Sequence, residues 1–174
     1  MTRPGTPTEA RFRAIPIRMP LRAVIAAVAV LAAPAALGGD PPKPGPRDKC
    51  PVCGMFVAKY PDWVAHAELA DGTRLVFDGA KDLFKFVLEP GRYLPSRTRA
   101  DVKALTVTDY YALAPVEARS ALYVLGSDVF GPMGRELVPF ARRADAEEFL
   151  RDHHGTRILG FDEVTADLVR ALDR

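Results

Sequence analysis

The residues of this 174-residue chain best suited to chemistry are its only two cysteines, which stand together in Cys50-Pro51-Val52-Cys53-Gly54-Met55. Four chemistries compete for such a segment. A dithiol redox pair uses the same two-residue spacing, but it normally sits at a helix N-terminus whose dipole favours the thiolate. Here Gly54-Met55-Phe56-Val57 reads as the beginning of a strand. Covalent haem requires His directly after the second cysteine, and Gly54 stands there. A structural zinc site needs four ligands, and the only imidazoles, His66, His153 and His154, make no zinc-finger spacing with the cysteines. A disulfide between Cys50 and Cys53 demands least, and it closes too small a loop to gain much.

Met55 adds a further possibility, because thiolate plus thioether is a soft donor pair that selects Cu(I) over harder divalent ions. Methionines are scarce: Met1, Met19, Met55 and Met133. The last two each adjoin glycine, Gly54 before Met55 and Gly134 after Met133, in what read as equivalent places of two halves. Tight turns there would project the thioethers outward. The competing reading is that both fill the core, as most methionines do.

The elements that must position these groups repeat once along the chain. Trp63 to Leu69 alternates with period two, and Asp71-Gly72-Thr73 turns into a second strand, Arg74-Leu75-Val76-Phe77. Ala80 to Leu88 follows as a helix with residues 83, 84, 87 and 88 on one apolar face, stopped by Glu89-Pro90-Gly91, and a third strand covers Ala104 to Thr108. The second set is a strand from Ala121 to Leu125, the turn Gly131-Pro132-Met133-Gly134, a strand Leu137 to Phe140, a helix Ala144 to His153 and a strand Arg157 to Phe161. A last helix covers Glu163 to Leu172, and Tyr110 to Ser120 reads as a hinge or linker. The expected fold is α+β, two similar ββαβ halves made by tandem duplication and packed as one unit, with halves at 49–112 and 113–174. The pattern does not yield the strand order.

Composition sets the context. The net charge of +2 is unevenly spread: residues 1–22 carry +4, from five arginines against Glu9, and the remainder carries −2. The near-neutral balance argues against nucleic acid as a partner. The basic segment leads into the apolar run Ala23 to Ala33 and then small residues, the pattern of a secretory signal over 1–38. The run is about half of the roughly 20 residues that span a bilayer, so an uncleaved signal-anchor, tethering the protein to a membrane, is the lesser alternative. No cysteine follows the run to take a lipid, and residues 39–48 form a Pro/Gly-rich tether. The expected location is periplasmic or otherwise extracytoplasmic. Ser96, Ser120 and Ser127 lie in no nucleophile-elbow setting, and Asp78, Asp82, Asp109 and Asp128 read as turn and cap residues.

Taken in order, Cys50-Pro51-Val52-Cys53-Gly54-Met55, Phe77-Asp78-Gly79-Ala80-Lys81-Asp82, Val107-Thr108-Asp109-Tyr110-Tyr111, Tyr123-Val124-Leu125-Gly126-Ser127-Asp128 and Gly131-Pro132-Met133-Gly134-Arg135-Glu136 resemble the NosL family. The resemblance covers nearly all of the chain from Lys49 to Leu172. It implies a periplasmic Cu(I) chaperone, not an enzyme, that supports assembly of the copper sites of nitrous oxide reductase alongside an ABC-type membrane complex. It also implies Cys53, Met55 and Met133 as ligands converging from both halves, with Cys50 or His66 completing the set. Many family members carry a lipid-modified cysteine that this chain lacks. Two other readings are a dithiol–disulfide oxidoreductase using Cys50 and Cys53, and a non-enzymatic domain with a structural disulfide.

Overall fold

The computed structural model describes residues 41–174. The expected signal over 1–38 and the first two residues of the tether lie outside the described residues. Seven strands and four helices follow in chain order: β1 Ala65–Leu69, β2 Arg74–Phe77, α1 Ala80–Leu88, α2 Pro90–Tyr93, β3 Val102–Thr108, β4 Pro115–Glu117, β5 Leu122–Gly131, β6 Gly134–Phe140, α3 Arg143–Asp152, β7 Arg157–Gly160 and α4 Ala166–Ala171. They form two antiparallel sheets, β2-β1-β3-β4 and β6-β5-β7. In each half the first strand is central, flanked by the second and third. The two ββαβ units therefore share one topology, which supplies the order that the sequence pattern left open.

Local chemistry explains most boundaries. In β1 the buried residues Ala65, Ala67 and Leu69 alternate with half-buried His66 and Glu68, as a strand with one covered face requires. In β6 every residue from Glu136 to Phe140 is buried, because this sheet is covered on both faces. Val124, Val138 and Phe140 pack with Phe149 of α3, while Tyr123, Leu137 and Leu159 join the cluster around α1.

That double coverage makes α1 the centre of the molecule. Phe86 meets Phe77 of the first sheet at 5.5 Å between ring centroids, and Phe84 meets Tyr123 of the second at 4.8 Å. The helix is enclosed rather than one-faced, so Lys81 and Asp82 are buried along with the apolar residues.

Three expectations change. The segment Tyr110 to Ser120 is not a hinge: it contains β4, which pairs with β3, so residues 115–117 belong to the first sheet rather than to the second half. Asp109 anchors its start, accepting the N–H groups of Tyr111 and Ala112 on one oxygen and of Ala141 on the other. Second, Met55 to Ala58 forms no strand. Lys49 and Phe56 make a single bridge, and Val57–Lys59 turns as a short 3₁₀ segment. Third, the two methionines are not in equivalent places. Met133 lies in the β5–β6 turn, whose counterpart is the β1–β2 turn, whereas Met55 precedes β1.

Because Phe84 joins α1 to both Tyr123 and Phe161, Phe84→Ala should destabilise the chain by about 3–5 kcal/mol in urea unfolding. A loss below about 1 kcal/mol would show that the two sheets do not depend on this contact.

Candidate metal centre

The cysteines sit on a closed loop. The Cys50 N–H donates to the Met55 carbonyl at 2.9 Å, the Gly54 N–H to the Cys50 carbonyl at 2.9 Å, and the Val57 N–H to the Asp48 carbonyl at 3.0 Å. Gly54 has a φ of 79°, a left-handed conformation that a side chain would disfavour, and this reversal returns the chain toward Cys50.

The loop lies against the start of α1. There the Cys50 thiol donates to Asp82 Oδ2 at 3.4 Å and the Cys53 thiol to Asp78 Oδ1 at 3.3 Å. One donor atom from each of Cys50, Cys53, Asp78 and Asp82 lies within 4.8 Å of the others. Asp78 and Asp82 are each 1% exposed, and Asp78 Oδ2 and Asp82 Oδ1 accept no hydrogen bond. Lys85 Nζ lies 3.1 Å from Asp82 Oδ1 as an ion pair without hydrogen-bond alignment.

The environment holds the thiols protonated. Burial pushes the Cys50 thiol far up, with Asp82 acting in the same direction, and pushes the Cys53 thiol up to about 12 against the opposing Met55 backbone N–H. Two thiols and two buried carboxylates thus share one pocket, with Lys85 as the cation paired to Asp82. Buried carboxylates are costly unless paired or bound to a metal; Asp82 has Lys85 as a partner, and Asp78 has the Cys53 thiol alone.

The second half provides an internal comparison. Phe77-Asp78-Gly79-Ala80-Lys81-Asp82 occupies the same place as Phe140-Ala141-Arg142-Arg143-Ala144-Asp145, because β2 and β6 end at the phenylalanines and each helix is capped two residues later. In α3 the cap residue Arg142 pairs in bidentate fashion with Asp145. In α1 the cap residue is Gly79, and Asp82 meets a thiol instead.

By sequence Asp78 and Asp82 read as turn and cap residues, and the structure places both against the thiols instead. Their four-residue spacing across a helix start, with Asp82 in turn four residues before inward-facing Phe86, was the available signal. Of the residues expected as ligands, Cys50 and Cys53 are in the cluster. Met133, 42% exposed, lines the same opening as Cys53, together with Lys85, Phe130, Leu172 and Asp173. Met55 enters through its backbone carbonyl on Cys50. His66 is not among the converging groups: it lies on the face of β1 opposite the buried alanines, between Val76 and Thr106.

The NosL family model matches residues 41–169. The chain belongs to the NosL family. A relative named copper-binding lipoprotein NosL, from Stutzerimonas stutzeri, is 29% identical over 124 residues, covering 71% of this chain and 65% of the relative, so the match spans just under two thirds of that protein's length. Among solved structures, the copper chaperone NosL from Shewanella denitrificans superposes with a TM-score of 0.61 at 28% identity, over 73% of this chain and 99% of that one. The solution structure of apo-NosL from Achromobacter cycloclastes is 25% identical with a TM-score of 0.44, over 60% of this chain and 87% of that one. The duplicated ββαβ architecture is that of the family.

The raised thiols have a direct consequence. In the reduced, metal-free chain, iodoacetamide at pH 8 should alkylate Cys50 and Cys53 more than about tenfold more slowly than a free cysteine of pKa about 8.5, with the rate rising as pH increases. Faster reaction than free cysteine would mean that a thiolate is stabilised here.

Proposed function

We propose that this chain is an extracytoplasmic metallochaperone that carries Cu(I) and delivers it for assembly of the copper sites of nitrous oxide reductase or a related cuproenzyme, working with an ABC-type membrane complex. The observation that carries this reading is the convergence of both thiols at the head of α1, with Met133 lining the same opening as Cys53. The relatives, a copper-binding lipoprotein and a copper chaperone, support copper as cargo, and a lipoprotein relative supports a location outside the cytoplasm.

The groups divide the work by exposure. Cys50, 1% exposed and tied to Asp82, is the inner anchor. Cys53 and Met133 face the opening, where a donor from a partner can add to the copper before these two let go. Thiolate and thioether sulfur suit Cu(I), and a low coordination number leaves an edge for that exchange. Copper binding must remove protons from raised thiols, so the apparent affinity rises with pH through the neutral range. Asp78 and Asp82 place carboxylate oxygens beside the two thiols, and Lys85 offsets part of their charge. Met55 remains a candidate donor next to Cys53, and His66 is the weakest candidate of those named because of its place on β1.

The oxidoreductase reading requires an attacking thiolate near neutral pH. Burial pushes both thiols the other way, which favours a carrier.

Anaerobic titration against a competing Cu(I) chelator tests the assignment. The full chain should bind one Cu(I), Cys53→Ser should weaken binding by more than about 100-fold, and Met133→Ala by about 10-fold. Unchanged affinity in Met133→Ala would mean that the site is confined to the first half.

A further inference from the structure

The two halves are joined at the site by two buried polar residues that the copper reading does not itself employ. Glu136 lies on β6, 4% exposed, and its Oε1 accepts the Lys81 N–H of α1 at 2.6 Å and the Leu137 N–H at 2.8 Å. A helix leaves its first N–H groups without partners. The cap residue of α1, Gly79, offers no side-chain acceptor, so the acceptor comes from the opposite half.

Glycine makes the approach possible. A Cβ on Gly79 would stand 2.3 Å from Glu136 Oε2, and one on Gly131 would stand 3.1 Å from it. Lys81 closes the link in the other direction: 1% exposed, it donates from Nζ to the Met133 carbonyl at 2.8 Å. One residue of α1 is thus fastened by its backbone to β6 and by its side chain to the β5–β6 turn. The next residue is Asp82, the partner of the Cys50 thiol.

The turn needs such fastening. β5 runs for 10 residues against 5 in β1, and its pairing with β6 shifts register between Leu125 and Phe130. The outer end of the hairpin is therefore offset from the sheet that carries it. At its tip the Met133 side chain is exposed, and an exposed thioether with several free torsions takes its place from the backbone rather than from packing.

We propose that Lys81 and Glu136 are positioning residues of the metal site, a two-point staple that holds the β5–β6 turn on the head of α1 and so fixes the Met133 thioether beside Cys53. This rests on the reading of Met133 as a copper donor. Lys81 Nζ also lies 3.3 Å from Asp173 Oδ1; the loss assigned to the staple is the part that passes through Met133, with the cysteine ligands left in place.

A double-mutant cycle for Cu(I) affinity on the full chain tests this. Met133→Ala and Lys81→Leu should each weaken binding by about 10–100-fold, and the double variant should bind no more weakly than the weaker single one, because without the thioether the staple has nothing to position. Glu136→Gln, which keeps a carbonyl acceptor for the Lys81 N–H, should stay near wild type, while Glu136→Ala should behave like Lys81→Leu. Additive losses, or unchanged affinity in Lys81→Leu when Met133→Ala is impaired, would overturn the staple while leaving the copper reading intact. No effect of Met133→Ala alone would overturn the donor assignment and the staple with it. Should Lys81→Leu fail to fold, Lys81→Gln, one bond shorter than needed to reach the Met133 carbonyl, runs the same cycle.

Discussion

Two carboxylates buried at the start of one helix, one just before its cap and one in its first turn, each with an oxygen that accepts no hydrogen bond, are the constraint around which this molecule is arranged. Such groups cannot be left in an apolar interior without a partner. Here the partners are thiols, a loop-borne pair brought onto the helix by the reversal at Gly54, and for Asp82 also Lys85. Thiols are weak donors and satisfy carboxylates poorly.

The duplication shows what distinguishes the functional half from its copy. Both halves end their second strand on phenylalanine, and both place Asp in the first turn of the following helix. In α3 that Asp is neutralised by Arg142, and the helix does no more than cover its sheet. In α1 the arginine position is Gly79, the helix lies between two sheets, and the Asp meets the Cys50 thiol on one oxygen and Lys85 on the other. The second half contributes instead a hairpin twice the strand length of its counterpart, whose tip reaches across to the first half. One copy thus holds the polar cluster while the other supplies the support and the exposed thioether.

Much of this arrangement was legible in the sequence. The alternation in β1, the Asp-Gly turn and the apolar spacing of α1 and α3 gave the ββαβ pattern, because each rests on interactions within a few residues. The cysteines drew attention by rarity and spacing. What could not be read was anything depending on contacts far apart in sequence. Asp78 and Asp82 looked like ordinary cap residues, since a carboxylate at a helix start is favourable by itself, and nothing local announces thiols docking from 25 and 32 residues away. Lys81 and Glu136 were invisible for the same reason. The segment after Asp109 looked like a hinge because β4 is only three residues long and its partner β3 is already half-paired in the sheet. The joining of Met133 to the cysteines came from family resemblance, not from spacing.

The proposed cycle follows from the difference in exposure across the site. An inner thiol retains the ion, and an outer thiol and thioether release it. The central claim is that sulfur from both halves surrounds one monovalent copper. X-ray absorption at the copper edge of the anaerobically loaded full chain measures this directly. The account predicts a Cu(I) edge and a first shell dominated by sulfur, including one thioether that disappears from the shell in Met133→Ala. A shell of nitrogen and oxygen alone, or a divalent copper edge under the same conditions, would contradict it.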